Sequence, residues 1–344
     1  MSKKVGILTG GGDCQGLNPV IRAVVRKGIE KYGFEFVGIK NGWKGMLEKE
    51  TMPVDLSTIS GILRRGGTIL GTSRTNPGKS EELMQKVIKN FNELGLYALV
   101  AIGGDDTLGV ANKMFEKGLK VVGVPKTIDN DLSATDMTFG FDTAVQIASD
   151  AIDRLQTTAE SHQRVLVVEV MGRHAGWIAT YSGIASGADV ILIPEEPFHI
   201  NDICKIIDER TKKGKTYSLI VVAEGAVPDK SEMVTKDEKI DDFGHVTLGG
   251  IGEYLSKKIK EKTGIDTRLV VLGHIQRGGV PTAFDRVLST RYGVKAIDLV
   301  HEGKFGKMAA LRGNEIIAVD LKEAVSKLKL VDKELFDVAK IFFG

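Results

Sequence analysis

ALVAIGGDDTLGVANKMFEK (98–117) changes character twice within twenty residues. An unbroken apolar run leads into paired glycines, two aspartates follow, and from Thr107 the apolar positions recur at helical spacing. A continuous apolar strand is one buried on both faces, and a helix directly after it is the connection that a parallel sheet needs. The same unit recurs along the chain. VGILT (5–9), VVGVP (121–125), VLVVEVMG (165–172), DVILIP (189–194), SLIVVAEG (218–225), RLVVLGH (268–274) and IIAVD (316–320) read as further strands. Helices are predicted over 19–31, 80–94, 107–117, 139–160, 175–186, 201–213, 249–263, 282–302 and 321–328. GKSEEL (78–83), KDEKIDDFG (236–244) and HEGKFGK (301–307) read as surface loops. Strands alternating with helices in this number predict an α/β protein of two doubly wound lobes with largely parallel sheets, rather than one barrel. Ligands then bind where loops leave the carboxyl ends of strands.

Composition sets the outer limits. The 344 residues suffice for two domains of ordinary size, and 42% apolar with 27% charged residues is a globular composition. A formal charge of +2 gives no general case for nucleic acid or a membrane surface, so any basic site is local. No apolar run reaches the roughly 18–20 residues that span a bilayer. The opening MSKKVGILTG lacks the pattern of a secretory leader. The two cysteines, Cys14 and Cys204, stand too far apart for a paired-cysteine metal site, and a reducing cytoplasm is expected.

The unusual residues gather in strand-end loops. In TGGGDCQGLNP (9–19), three glycines let backbone amides approach an anion, while Asn18 and Pro19 read as a helix cap and first turn. A glycine loop opening a helix is a phosphate site, and this one is neither GxGxxG nor GxxxxGK[ST], so a dinucleotide or Walker site fits poorly. In IGGDDTLGVA (102–111), Asp105 and Asp106 precede a helix; one could simply cap it, but two after such a turn suggest a carboxylate for Mg2+. PKTIDND (125–131) crowds Lys126, Thr127, Asp129, Asn130 and Asp131 together. Asp129 or Asp131 could serve as general base, with Thr127 and Asn130 as donors and Lys126 as electrophilic stabiliser; the plainer reading is an Asx-rich turn. Arg74, Arg164, Arg173, Arg268, His274 and Arg277 lie at or near strand ends, where guanidinium forks match phosphate oxygens. Glu224 closes another strand. Glycine loops for phosphate, acids for a metal and a base, and arginines for more phosphate together describe phosphoryl transfer to a phosphorylated acceptor.

TGGGDCQGLN, GGDDT, PKTIDND, MGRHAGW, AEGA and LGHIQRGG stand in the order and spacing of the 6-phosphofructokinases, and the resemblance runs from residue 5 to about residue 325. It implies two lobes with the active site in the cleft between them: residues 1–140 plus 276–326 for the phosphoryl donor, and 141–275 plus 327–344 for fructose 6-phosphate. It makes Asp129 the base for the sugar 1-hydroxyl, with Thr127 and Asp131 beside it. Met171, Gly172 and Arg173 would face the acceptor, Arg173 also lying near the transferred group. Glu224 would hold sugar hydroxyls, and His274 with Arg277 the 6-phosphate. Arg164 and Arg268 match arginines that reach the 6-phosphate from a neighbouring subunit, which implies a homodimer or homotetramer. Gly11 would contact the donor phosphate through its amide, Arg74 would bridge donor and acceptor, and Asp105 would ligate Mg2+.

Two departures bear on the donor. ATP-using members carry glycine at the positions of Asp106 and Lys126, and the pair resembles the pyrophosphate-dependent branch. A carboxylate at 106 would clash with and repel an α-phosphate, while a lysine at 126 offsets charge on a small anionic donor. The expected reaction is therefore reversible, Mg2+-dependent transfer from pyrophosphate to fructose 6-phosphate in glycolysis or gluconeogenesis. The alternatives are an ATP-dependent or mixed-donor enzyme and a non-catalytic sugar-phosphate sensor. Gln156 and Tyr217 stand where bacterial ATP-dependent members hold phosphorylated effectors with basic residues, which argues against that control.

Overall fold

A computed structural model of the chain describes residues 2–229 and 250–344, so the predicted loop 236–244 lies outside the described residues. Within them the chain divides into two compact units: residues 2–143 with 277–328, and residues 144–229 with 250–276 and 329–344.

The first unit holds strands β1 (Lys4–Thr9), β2 (Glu35–Ile39), β3 (Thr51–Pro53), β4 (Ala98–Gly103), β5 (Val121–Thr127) and β6 (Phe139–Gly140). The second holds β7 (Val165–Val170), β8 (Val190–Leu192), β9 (Ser218–Ala223) and β10 (Thr267–Val271), after which β11 (Lys307–Arg312) and β12 (Glu315–Asp320) return to the first. The larger sheet runs β12-β11-β5-β4-β1-β2-β3, with β6 beside β5. Its interior pairs are parallel and its edge strands β3 and β12 antiparallel. Leu99, Val100 and Ile102 are wholly buried, each side chain of this kind contributing ~1.5–3 kcal/mol. Helices Trp43–Glu48, Glu81–Glu93 and Asp105–Glu116 bury Trp43, Phe91 and Met114 against one face. Helices Leu17–Tyr32 and Ala283–His301 pack together on the other. The smaller sheet, β10-β7-β9-β8, is all parallel and buries Val167, Ile220 and Val222 under helices Ile200–Lys212 and Ile251–Thr263.

Register aligns the strand ends that matter. Thr9 pairs with Ile102 and Gly103 with Pro125, so the loops after β1, β4 and β5 leave the same edge of the sheet. Glu169 pairs with both Val271 and Val222, which does the same for the loops after β7, β9 and β10.

EFVGI and KMAALR form β2 and β11, although one is broken by glycine and the other rich in alanine; their position beside β1 and β5 decides them. The short elements β3, β6 and helix Trp43–Glu48 carry too few residues to show a period, whereas the unpredicted helix Lys333–Lys340 buries Phe336 and Ala339 at helical spacing. The helix expected over 321–328 stops at Ala324. Helix Leu17–Tyr32 starts on Gly16 at φ 102 with no side-chain cap, so Asn18 is not its cap.

Candidate active site

In the first unit the three loops after β1, β4 and β5 meet. Gly10 donates its amide to Ile102 O at 2.9 Å, which ties the glycine loop to β4. Gly11 sits at φ 78, a left-handed conformation in which a side chain would be strained. Its amide, expected on a donor phosphate, is engaged by Ser73 O at 3.2 Å. Asp105 and Asp106 occupy the first turn of helix Asp105–Glu116, where the helix dipole favours carboxylates, rather than preceding the helix. Both are half-buried.

Lys126 ends inside β5 and is 3% exposed. Its ammonium donates to Gly12 O at 2.7 Å, so it lies against the glycine loop. Burial pulls its pKa below the ordinary lysine value; the Arg277 guanidinium works the same way, against the carboxylates of Asp129 and Asp105. Arg277 lies in the same unit and donates to Asp13 O at 3.1 Å, and a Cβ on Gly12 would overlap it. Cys14, buried in the same loop, has its thiol pKa pushed up to about 12 by burial, which disfavours the thiolate.

The turn after β5 separates two uses of its polar residues. Asn130 is in a left-handed conformation at φ 52 and accepts from the Thr138 amide at 3.0 Å. It shapes the turn, as the Asx reading has it, and its carboxamide oxygen is spent there. Asp129 behaves differently. Its amide donates to Thr127 Oγ1 at 3.1 Å and its Oδ2 lies 3.4 Å from that hydroxyl, while Oδ1 is buried with no hydrogen-bond partner. Such an atom costs free energy unless something comes to it. Asp131 is buried beside it.

The second unit assembles another set. Beyond β7, Gly172 takes φ 144 and Arg173 a left-handed φ of 52, which costs an L-residue ~1–2 kcal/mol. Three neighbours hold that shape. The Met171 amide donates to buried Gln276 Oε1 at 3.3 Å, the Arg173 amide to Glu224 Oε1 at 3.1 Å, and a Cβ on Gly225 would overlap Arg173 O. Met171, Gly172, Arg173 and Glu224 are thus brought together at the carboxyl ends of β7 and β9. His274 is exposed in the short 3-10 helix Gly273–Arg277.

Arg164 and Arg268 are not brought there. Arg164 precedes β7 and Arg268 is the second residue of β10, so both sit at the amino ends, the length of a six-residue strand away, roughly 20 Å. Asp266 Oδ2 lies 3.4 Å from one guanidinium and 3.3 Å from the other. Gln156 and Tyr217 bond each other at 3.1 Å.

Sequence reasoning missed the buried supports. Asp285 accepts from the amides of Gly140 and Thr143 at 3.0 and 2.9 Å, with burial raising its pKa to about 6. Gln276 and Asn18 are likewise hidden, because a polar residue inside an apolar pattern gives no sign of its distant partner.

The phosphofructokinase family model matches residues 4–300. A Streptomyces coelicolor relative named pyrophosphate–fructose 6-phosphate 1-phosphotransferase is 58% identical over 99% of this chain and 100% of its own length. Another from that organism, ATP-dependent 6-phosphofructokinase 2, is 51% identical over 99% of this chain. The crystal structure of Pichia pastoris phosphofructokinase in the T-state is similar at TM-score 0.85 and 32% identity, covering 99% of this chain and 36% of that one, so this chain spans about a third of its length. With the match reaching from β1 to the end of helix Ala283–His301, and such identity running through both units, this chain belongs to the phosphofructokinase family.

Proposed function

We propose that the protein transfers a phosphoryl group from pyrophosphate to the 1-hydroxyl of fructose 6-phosphate, yielding fructose 1,6-bisphosphate and phosphate. The first unit is the donor lobe and the second the acceptor lobe. Relatives named for pyrophosphate reach 58% identity against 51% for those named for ATP, so overall similarity favours pyrophosphate. The observation that carries the choice is Lys126. A buried ammonium lying against the glycine loop calls for an anion, and pyrophosphate supplies a compact, highly charged one. Asp106, in the first turn of the adjoining helix, opposes an α-phosphate by bulk and like charge.

Asp129 takes the proton of the attacking hydroxyl on its unpartnered oxygen while the Thr127 hydroxyl, donating to Oδ2, fixes the carboxylate. Lys126 and Arg173 offset charge that develops on the transferred group and the departing phosphate. Among the described residues no cluster of three or more metal-ligating side chains occurs. Asp105, half-buried in the first turn of its helix and acting on the buried Lys126, fits a Mg2+ ion held by one carboxylate and the donor's own oxygens. When bound, that ion neutralises donor phosphate charge. Incubated with fructose 6-phosphate, pyrophosphate and Mg2+, the protein is expected to release one phosphate per bisphosphate formed. No product, or product only with ATP, contradicts this reading.

The active assembly is a homodimer or homotetramer with shared sites, Arg164 and Arg268 serving a neighbour. Their distance from their own chain's Arg173 supports it. So do Val271, Ile275, Val280, Phe284 and Val287, large apolar side chains exposed within one short stretch. A mixture of Asp129→Ser and Arg164→Ala proteins, each inactive alone, is expected to recover activity once subunits exchange. Mixed oligomers verified by mass that stay inactive would contradict the sharing. No helix among the described residues is long and apolar enough to cross a membrane, and both cysteines are free and buried. The free cysteines support a cytoplasmic location.

A further inference from the structure

Residues 65–74 (RGGTILGTSR) contain neither helix nor strand, so their backbone polar groups need partners from elsewhere. Asn18 supplies three. Its Nδ2 donates to Arg65 O at 3.0 Å and Gly66 O at 3.3 Å, and its Oδ1 accepts from the Ile69 amide at 2.9 Å. The side chain is wholly buried, and these bonds use both of its polar atoms. Further along, Thr9 Oγ1 donates to Gly71 O at 2.8 Å, Thr72 Oγ1 donates to Gly11 O at 2.5 Å, and the Gly11 amide returns a bond to Ser73 O. A strap thus runs from Asn18 to the glycine loop and ends one residue before Arg74.

We infer that Asn18 is a positioning residue for the phosphoryl transfer, setting strap 65–73 and through it the guanidinium of Arg74. The inference rests on the bridging role proposed for Arg74. An amide is the fitting side chain here because two carbonyls and one N–H converge on it. An aspartate would set a carboxylate against both carbonyls, and an alanine would leave all three groups without it. An arginine is long and its head is easily misplaced when its backbone shifts, and a displacement of about 1 Å from productive geometry can lower turnover ~10²-fold.

A purely structural asparagine would change thermal stability and leave turnover of the folded protein alone. The test is a double-mutant cycle on the intact enzyme with fructose 6-phosphate, pyrophosphate and Mg2+, comparing wild type, Asn18→Ala, Arg74→Ala and the double variant below their thermal midpoints. Asn18→Ala is expected to lose about 10- to 100-fold in kcat. Once Arg74 is absent, the same change should cost less than about threefold, because groups acting as a unit are not additive. Amide exchange at Ile69 should quicken in Asn18→Ala. Unchanged turnover in Asn18→Ala, or losses that multiply in the double variant, would overturn the inference. Native turnover in Arg74→Ala would instead overturn the bridging role on which it rests, and the inference with it. Should Asn18→Ala not accumulate as folded protein, Asn18→Asp, of nearly the same volume, runs the same cycle with the same criteria.

Discussion

Asp129→Ser is expected to fold as the wild type does and to lose ~10²–10⁴ in kcat, the usual contribution of a general base. The two halves of that expectation have separate causes. Asp129 is a carboxylate held 5% exposed, with one oxygen lacking any hydrogen-bond partner, so the fold gains little from its charge. Removing a buried charge with one oxygen unsatisfied relieves a desolvation cost that offsets its lost attraction for Lys126. Thermal unfolding should therefore show a midpoint equal to or above that of wild type. Turnover depends on the same oxygen, because in the proposed mechanism it accepts the hydroxyl proton. The loss should appear in kcat with the KM for fructose 6-phosphate much less affected, the signature of an interaction made mainly in the transition state. Near-native turnover would refute the role. So would a loss confined to KM.

The second large effect is a change of donor. Lys126→Gly removes the ammonium lying against Gly12 O and should cut turnover with pyrophosphate while fructose 6-phosphate binding stays nearly intact. Lys126→Met, which keeps much of the buried volume, separates lost charge from a lost side chain and should show the same cut. Asp106→Gly alone should admit ATP, though weakly, since nothing new binds the adenosine. The double variant Asp106→Gly/Lys126→Gly should move the ratio of kcat/KM values toward ATP more than either single change, without strict additivity, because both side chains serve the same donor phosphates. A ratio unmoved in the double variant would assign donor choice to other residues.

Much of this was legible in the sequence because it is local. The run ALVAIGG carries its own burial pattern, and the glycine and aspartate turns follow directly from it, so β1, β4, β5, β7 and β9 could be placed from composition and spacing. PKTIDND showed which acids cluster but not which were occupied. Only three dimensions show Asn130 spent on Thr138 and Asp129 left with an open oxygen. Asn18 reads as a cap because capping is the local use of asparagine before a helix, whereas its actual partners lie 47 to 51 positions away. Gly11 illustrates the same limit: its glycine requirement is local, but the carbonyl that holds its amide belongs to Ser73. Strand β11 gives no local sign because KMAALR has weak strand preference and is fixed by its neighbours β5 and β12.

The central claim is that the donor is pyrophosphate. The most direct measurement is kcat/KM of the wild-type protein for pyrophosphate and for ATP, at matched free Mg2+ and saturating fructose 6-phosphate. Like charges brought together at a binding site cost several kcal/mol, and each ~1.4 kcal/mol is a factor of ten, so pyrophosphate should be preferred by about 10² or more. A wild-type protein that uses ATP as well as pyrophosphate, or better, would contradict the account and make the ATP-dependent reading the correct one.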